Sequence, residues 1–150
     1  MRITKIVEFD AGHRVPSHGG KCRNMHGHRY RLEVTFRGEV KPVRNRSDDG
    51  MVADFGDLKA MIVQHVAEPW DHAFLVYEGD TEVRELLSCL PQHKTVVLHM
   101  IPTAENLAQI ALEVLETALK DRYSFGTFVV DRVRLYETPN SYADAEGTGR

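Results

Sequence analysis

The sequence predicts an α+β domain in which an antiparallel sheet carries two long helices on one face. Three observations predict it. Residues 2–13 and 28–37 alternate apolar and polar side chains at the two-residue period of half-buried strands. The stretches after Asp54 and Thr103 repeat apolar residues at helical spacing. The order β-β-α, a short variable stretch, then β-α-β lacks the regular crossovers of a parallel sheet. At 150 residues the chain reads as one domain, 1–150, long enough to bury a core.

In the first strand Ile3, Val7, Phe9 and Ala11 share a face with His13, and Arg2, Thr4, Glu8 and Asp10 share the other. Lys5 and Ile6 break the pattern. Residues 15–25, with Pro16, Ser17, His18, Gly19 and Gly20, read as loop. From His28 the alternation returns, with Tyr30, Leu32, Val34 and Phe36 on the apolar side. His13 and His28 therefore lie at the ends of two apolar faces, the phase a site between paired strands requires. Asp48-Asp49-Gly50 marks a turn, and Asp54 caps a helix with Asp57 in its first turn. Phe55, Leu58, Ile62 and Val66 form the apolar stripe of that helix, which Pro69-Trp70 ends. A short helix starts at Thr81 with Val83, Leu86 and Leu87, and Thr95–Met100 reads as a brief strand. Thr103 caps the second long helix, whose stripe runs through Leu107, Ile110, Ala111, Val114, Leu115 and Ala118. Gly126 breaks the chain before a last strand, Thr127–Glu137, in which Val129, Val133, Leu135 and Glu137 share a side and Asp131 is out of place. Residues 143–150 read as a frayed tail.

Composition excludes several function classes. A net charge of −3 offers no basic face for nucleic acid or a membrane surface. No apolar run approaches a membrane span, and the N-terminus lacks the apolar core and cleavage site of a signal peptide. Two cysteines make no disulfide framework, so a reducing, cytoplasmic home is expected. Eight histidines is a high number for this length.

The chemistry concentrates in Cys22-Arg23-Asn24-Met25-His26-Gly27-His28. His26 and His28 are separated by one residue and so face the same way on a strand, and His13 matches their phase. Three neutral imidazoles on a sheet edge suit a zinc ion with an open fourth position. Gly27 is read as allowing a tight backbone turn there. Cys22, flanked by Lys21 and Arg23, is either a fourth ligand or a nearby base, because adjacent positive charge favours thiolate. Cys89, in Leu-Leu-Ser-Cys-Leu, reads as core. Asp71-His72 has the makings of a proton relay, since a carboxylate orients and strengthens a neighbouring imidazole. Glu137 ends an apolar face, where an unpaired carboxylate is costly; it is suited to a ligand edge with two parallel N–H donors.

Together with Phe9-Asp10-Ala11-Gly12-His13, Met51-Val52-Ala53-Asp54-Phe55-Gly56-Asp57-Leu58-Lys59, Pro102-Thr103-Ala104-Glu105-Asn106-Leu107 and Glu137-Thr138-Pro139, these motifs are collinear from residue 9 to residue 139. They resemble the 6-pyruvoyltetrahydropterin synthase / 6-carboxytetrahydropterin synthase family. The resemblance implies a tunnelling fold (T-fold), whose sheets join into an oligomeric barrel as trimers or as dimers of trimers. It implies one zinc per subunit on His13, His26 and His28, with Cys22 as base, assisted by Asp71 and His72 in some members from a neighbouring subunit. Glu137 would hold the 2-amino-pyrimidinone edge of a pterin, with Thr103 near it. The implied substrate is 7,8-dihydroneopterin triphosphate, with Lys21, Arg23 and Lys59 as basic candidates for the triphosphate. The compact cysteine and Glu-Thr-Pro motifs are similar to the bacterial branch. That branch releases acetaldehyde and triphosphate to form 6-carboxy-5,6,7,8-tetrahydropterin for queuosine and other deazapurines. The alternatives are the pyruvoyl-forming reaction, which keeps the side-chain carbons, and a non-catalytic zinc-stabilised pterin-binding oligomer. A third branch carries Glu where this chain has Cys22. Trp70, where an aliphatic residue is more usual, departs from the family pattern and bears on pocket shape.

Overall fold

The computed structural model describes residues 1–122 and 128–148. The two alternating stretches become the longest strands, β1 (Arg2–His13) and β2 (His26–Arg37), paired antiparallel along their whole length. A 3-10 turn at Lys21–Arg23 lies in the loop between them. Asp54 caps α1 (Phe55–Ile62), its carboxylate accepting the backbone N–H groups of Gly56 and Asp57. The helix continues through a π-helical segment, Val63–Ala67, into a last turn, α2 (Glu68–Trp70), so the predicted long helix holds. There follow β3 (Phe74–Tyr77), α3 (Thr81–Ser88), β4 (Thr95–Leu98) and α4 (Ala104–Arg122). The chain closes with β5 (Val129–Thr138) and β6 (Ser141–Glu146). The predicted break at Gly126 and the first residue of the predicted last strand lie outside the described residues.

The sheet order is β4-β3-β1-β2-β5-β6. The four long strands, β1, β2, β5 and β6, are antiparallel as expected, whereas β3 joins β1 and β4 joins β3 in parallel. Strand β3 was not anticipated. Its run Phe74-Leu75-Val76 is buried, and a fully buried strand has no alternation by which to recognise it. Nor are residues 143–146 a frayed tail. They belong to β6, whose Ala143 and Ala145 are too small to make a strong apolar pattern but pack on the core.

Core packing explains the misplaced residues. Leu32, Val34, Phe36, Val133 and Leu135 are sealed against Leu58 and Ile62 of α1 and Leu107 and Leu115 of α4. Thr35 pairs with Arg132 but Phe36 with Val130, so Asp131 is the extra residue of a β-bulge. The bulge shifts the phase: Val130 rather than Val129 is buried, and Asp131 swings out to accept hydrogen bonds from Arg2 and Arg37. Phe55 and Leu86, assigned to apolar stripes, are in fact half-exposed. The opposite face of the sheet is charged, with pairs Asp10–Arg29, Glu33–Arg31 and Asp144–Arg134. Among the described residues no helix is long and apolar enough to cross a membrane.

Candidate metal and substrate site

The register of β1 and β2 assembles the histidines. His13 stands opposite His26, and His28 stands opposite Ala11, so all three imidazoles leave one face of the sheet. Their ring centroids are 4.5 to 5.1 Å apart, and one nitrogen from each ring can be chosen so that all lie within 4.8 Å of one another. Gly12 and Gly27 are paired between them. A Cβ on Gly27 would come 2.9 Å from the Ala11 carbonyl oxygen. Gly27 lies inside an extended strand, so it serves close approach of two backbones rather than the tight turn expected of it.

Two backbone carbonyls set the rings. Nδ1–H of His13 donates to the Pro102 carbonyl at 2.6 Å, and Nδ1–H of His26 donates to the Asn24 carbonyl at 2.7 Å. In a neutral ring each such bond leaves the Nε2 lone pair free. The Nε2 atoms of His13 and His28 are buried and have no hydrogen-bond partner among the described residues. Burial pulls the His13 pKa below its ordinary value, with the two neighbouring histidines pulling the same way. Burial does the same to His28. Neutral rings with convergent, unpaired nitrogen atoms are costly without a guest and are the donor set zinc takes. The Pro102 and Asn24 carbonyls, each holding a ring by its far nitrogen, complete the fit.

The carboxylate of Glu137 lies beside this cluster, Oε1 3.7 Å from His28 Nε2 and Oε2 4.0 Å from His13 Nε2. It leaves β5 on the side of Val133 and Leu135, as the alternation predicts, at a second bulge: Tyr136 pairs with Tyr142 and Thr138 with Ser141, leaving Glu137 as the extra residue. His13, Cys22, Thr103 and Glu137 line one cavity of about 260 Å³. The Thr103 hydroxyl accepts the Asn106 N–H at 3.4 Å at the start of α4. Lys21 and Arg23 flank Cys22 on the 3-10 turn and are exposed, as is Lys59. Cys89 is exposed rather than core, with its thiol directed at the Glu85 carbonyl.

Asp71 and His72 do pair, His72 Nδ1 to Asp71 Oδ2 at 2.8 Å, but away from this cavity. Asp71 Oδ1 accepts the Asp10 N–H, and the His72 N–H donates to the Asp10 carbonyl at 2.6 Å. The corner is thus bolted to β1 at Asp10, whose side chain lies on the face opposite His13. His72 takes a positive φ of 57°, uncommon outside glycine. The Asp10 N–H, then the His72 ring, holds the Asp71 carboxyl below the usual range. Trp70 does not shape the cavity. It is buried in the core, edge-on to Phe9. Sequence reasoning missed the carbonyls of Asn24 and Pro102, which have no side-chain signature. It also left His18, another cavity residue, as part of an undifferentiated loop.

The comparisons with known proteins bear on this geometry. The family profile described as 6-pyruvoyl tetrahydropterin synthase matches residues 2–148. The chain belongs to that family. It is 35% identical over 144 residues to a 6-carboxy-5,6,7,8-tetrahydropterin synthase of Rickettsia bellii, covering 96% of this chain and 99% of that one. A protein of the same name from Haemophilus influenzae is 32% identical over 147 residues, covering 96% and 97% of the two chains. In fold, the chain is similar to the 6-pyruvoyl tetrahydropterin synthase of Caenorhabditis elegans, with a TM-score of 0.68, 28% identity, and 99% and 96% of the two chains covered. The T-fold architecture expected from the motifs is therefore that of the structural neighbours.

Proposed function

We propose that this chain is a zinc-dependent lyase. It converts 7,8-dihydroneopterin triphosphate to 6-carboxy-5,6,7,8-tetrahydropterin, releasing acetaldehyde and triphosphate, as a step toward queuosine and other 7-deazapurines. The observation that carries the reading is the single cavity shared by His13, Cys22 and Glu137 in a member of this family. The names of the Rickettsia and Haemophilus relatives favour the carboxy-forming branch.

In this reading His13, His26 and His28 hold one zinc per subunit, which when bound supplies Lewis-acid polarisation of the substrate side-chain oxygens. Glu137 accepts the two parallel N–H donors of the pterin edge, and Thr103 lies beside it. Cys22 takes and returns protons as general base. Asp71 accepts Nδ1–H of His72, so the opposite ring nitrogen presents its lone pair to a proton. Because this pair lies away from the cavity of its own chain, it serves the cavity of a neighbouring subunit. That arrangement requires a homo-oligomer, a trimer or a dimer of trimers.

The second reading is the pyruvoyl-forming reaction, favoured by the family profile's description and by the Caenorhabditis structure. One experiment separates the two. Purified protein with 7,8-dihydroneopterin triphosphate releases acetaldehyde in step with triphosphate under the first reading. Triphosphate without acetaldehyde establishes the second, and release of neither overturns both.

A further inference from the structure

His18 lines the same cavity as Cys22 and Glu137 but has no part in the proposed chemistry. Its ring is not loose. Val15 N–H donates to the Cys22 carbonyl at 2.8 Å, closing residues 15–22 into one loop, and His18 N–H donates to the Val15 carbonyl at 3.1 Å. Within that loop the Gly20 N–H donates to His18 Nδ1 at 2.8 Å. An Nδ1 that accepts a hydrogen bond cannot carry the proton of a neutral imidazole, so the proton sits on Nε2. The ring is thereby fixed as an outward N–H donor. Glycine at position 20 leaves room for this perch: a Cβ there would stand 3.0 Å from His18 Cε1 and 3.3 Å from Nδ1, so the ring would have to give by a few tenths of an ångström. This tautomer is the reverse of that of His13 and His26, whose Nδ1 atoms donate and whose Nε2 lone pairs are free. The two arrangements suit opposite partners, a cation for the cluster and an acceptor oxygen for His18.

The position of His18 selects which oxygen. His13 is buried and Glu137 half-buried, whereas His18 is exposed at the mouth beside the exposed Lys21. In the proposed function the pterin ring sits at Glu137, and the triphosphate, at the far end of its side chain, is the part left to reach that exposed mouth. Resting on the proposed function, we infer that His18 is a substrate-binding and specificity residue whose Nε2–H donates to a phosphate oxygen of the triphosphate, with Gly20 as the residue that positions its ring. It distinguishes the triphosphate ester from the same pterin without phosphate.

The test uses full-length zinc-loaded protein carrying Cys22→Ala to suppress turnover, with 7,8-dihydroneopterin triphosphate and unphosphorylated 7,8-dihydroneopterin titrated by fluorescence. His18→Phe keeps a ring and removes the donor, so it weakens the triphosphate compound by ~tenfold, as loss of a hydrogen bond to a charged group does, and leaves the unphosphorylated one unchanged. Gly20→Ala displaces the ring and shifts the same affinity in the same direction. His18→Gln, which restores a donor, recovers part of the loss. Equal weakening of both compounds, or of neither, overturns the assignment. A parent protein that binds neither compound overturns the functional reading itself, before any His18 variant is compared.

Discussion

His26 and Cys22 carry the residue-scale predictions, because each is partly accessible and its removal spares the core. In His26→Ala one of three converging nitrogen donors is lost, and elemental analysis will show zinc falling well below one per subunit. Full metal retention in that variant means the cluster is not the ligand set. Cys22→Ala keeps its zinc and loses turnover by ~10²-fold or more, the usual weight of a positioned general base. Zinc loss on that substitution instead makes the thiol a ligand. The convergence of His13, His26 and His28 on one face was legible here from two-residue spacing, since the register of β1 and β2 keeps their phase. The tautomer of each ring was not legible. It depends on which backbone carbonyl or N–H comes within 3 Å, and backbone groups are the same in every residue.

At the scale of elements, the contact between β1 and α3 offers the clearest test. Arg14, the residue after His13, donates two hydrogen bonds of 2.6 Å to the buried Asp80 carboxylate, which also caps α3 through the Val83 N–H. The Arg14 guanidinium holds the Asp80 carboxyl below its ordinary value of 3.8. A folded-state pKa below the unfolded one gives stability that is complete above the unfolded value and lost as pH falls through the folded one. Asp80→Ala is therefore expected to cost on the order of 3 kcal/mol near neutral pH, because it removes the buried partner of Arg14, leaving that guanidinium only the exposed Glu82, and takes away the α3 cap as well. Urea unfolding at about pH 7 and about pH 3 will show that difference shrinking in acid. An equal difference at both pH values would mean the ion pair is not its source. The elements that escaped sequence reading share one physical cause. Strand β3 is buried on both faces, the alanines of β6 give little apolar contrast, and the bulge at Asp131 shifts phase only when a partner strand is present.

For the whole molecule, the sheet ends in two strands, β4 and β6, that have one neighbour each among the described residues. Exposed strand edges recruit other strands. Sedimentation equilibrium is expected to give a mass about three or six times that of the 17.1 kDa chain. A monomer at micromolar concentration would remove the shared-site arrangement proposed for Asp71 and His72. The zinc proposed for the folded cluster has no such site in the open chain, so chelation is expected to lower the melting temperature. Metal at a hundred times its dissociation constant contributes about 2.7 kcal/mol.

Sequence by itself determined the α+β class, both long helices with their Asp54 and Thr103 starts, the two long strands, and the three-histidine phase. All of these follow from periodicities of 3.6 and 2.0, which are local properties of the chain. Tertiary structure decided what is non-local. It set Glu137 beside the imidazoles, sent Asp71 and His72 to the opposite side of β1, and put Trp70 in the core. It also fixed the His18 ring as a donor through Gly20. Each of those depends on strand register, a bulge or a backbone contact between separate turns of chain, and such contacts exist only once the core has closed around them.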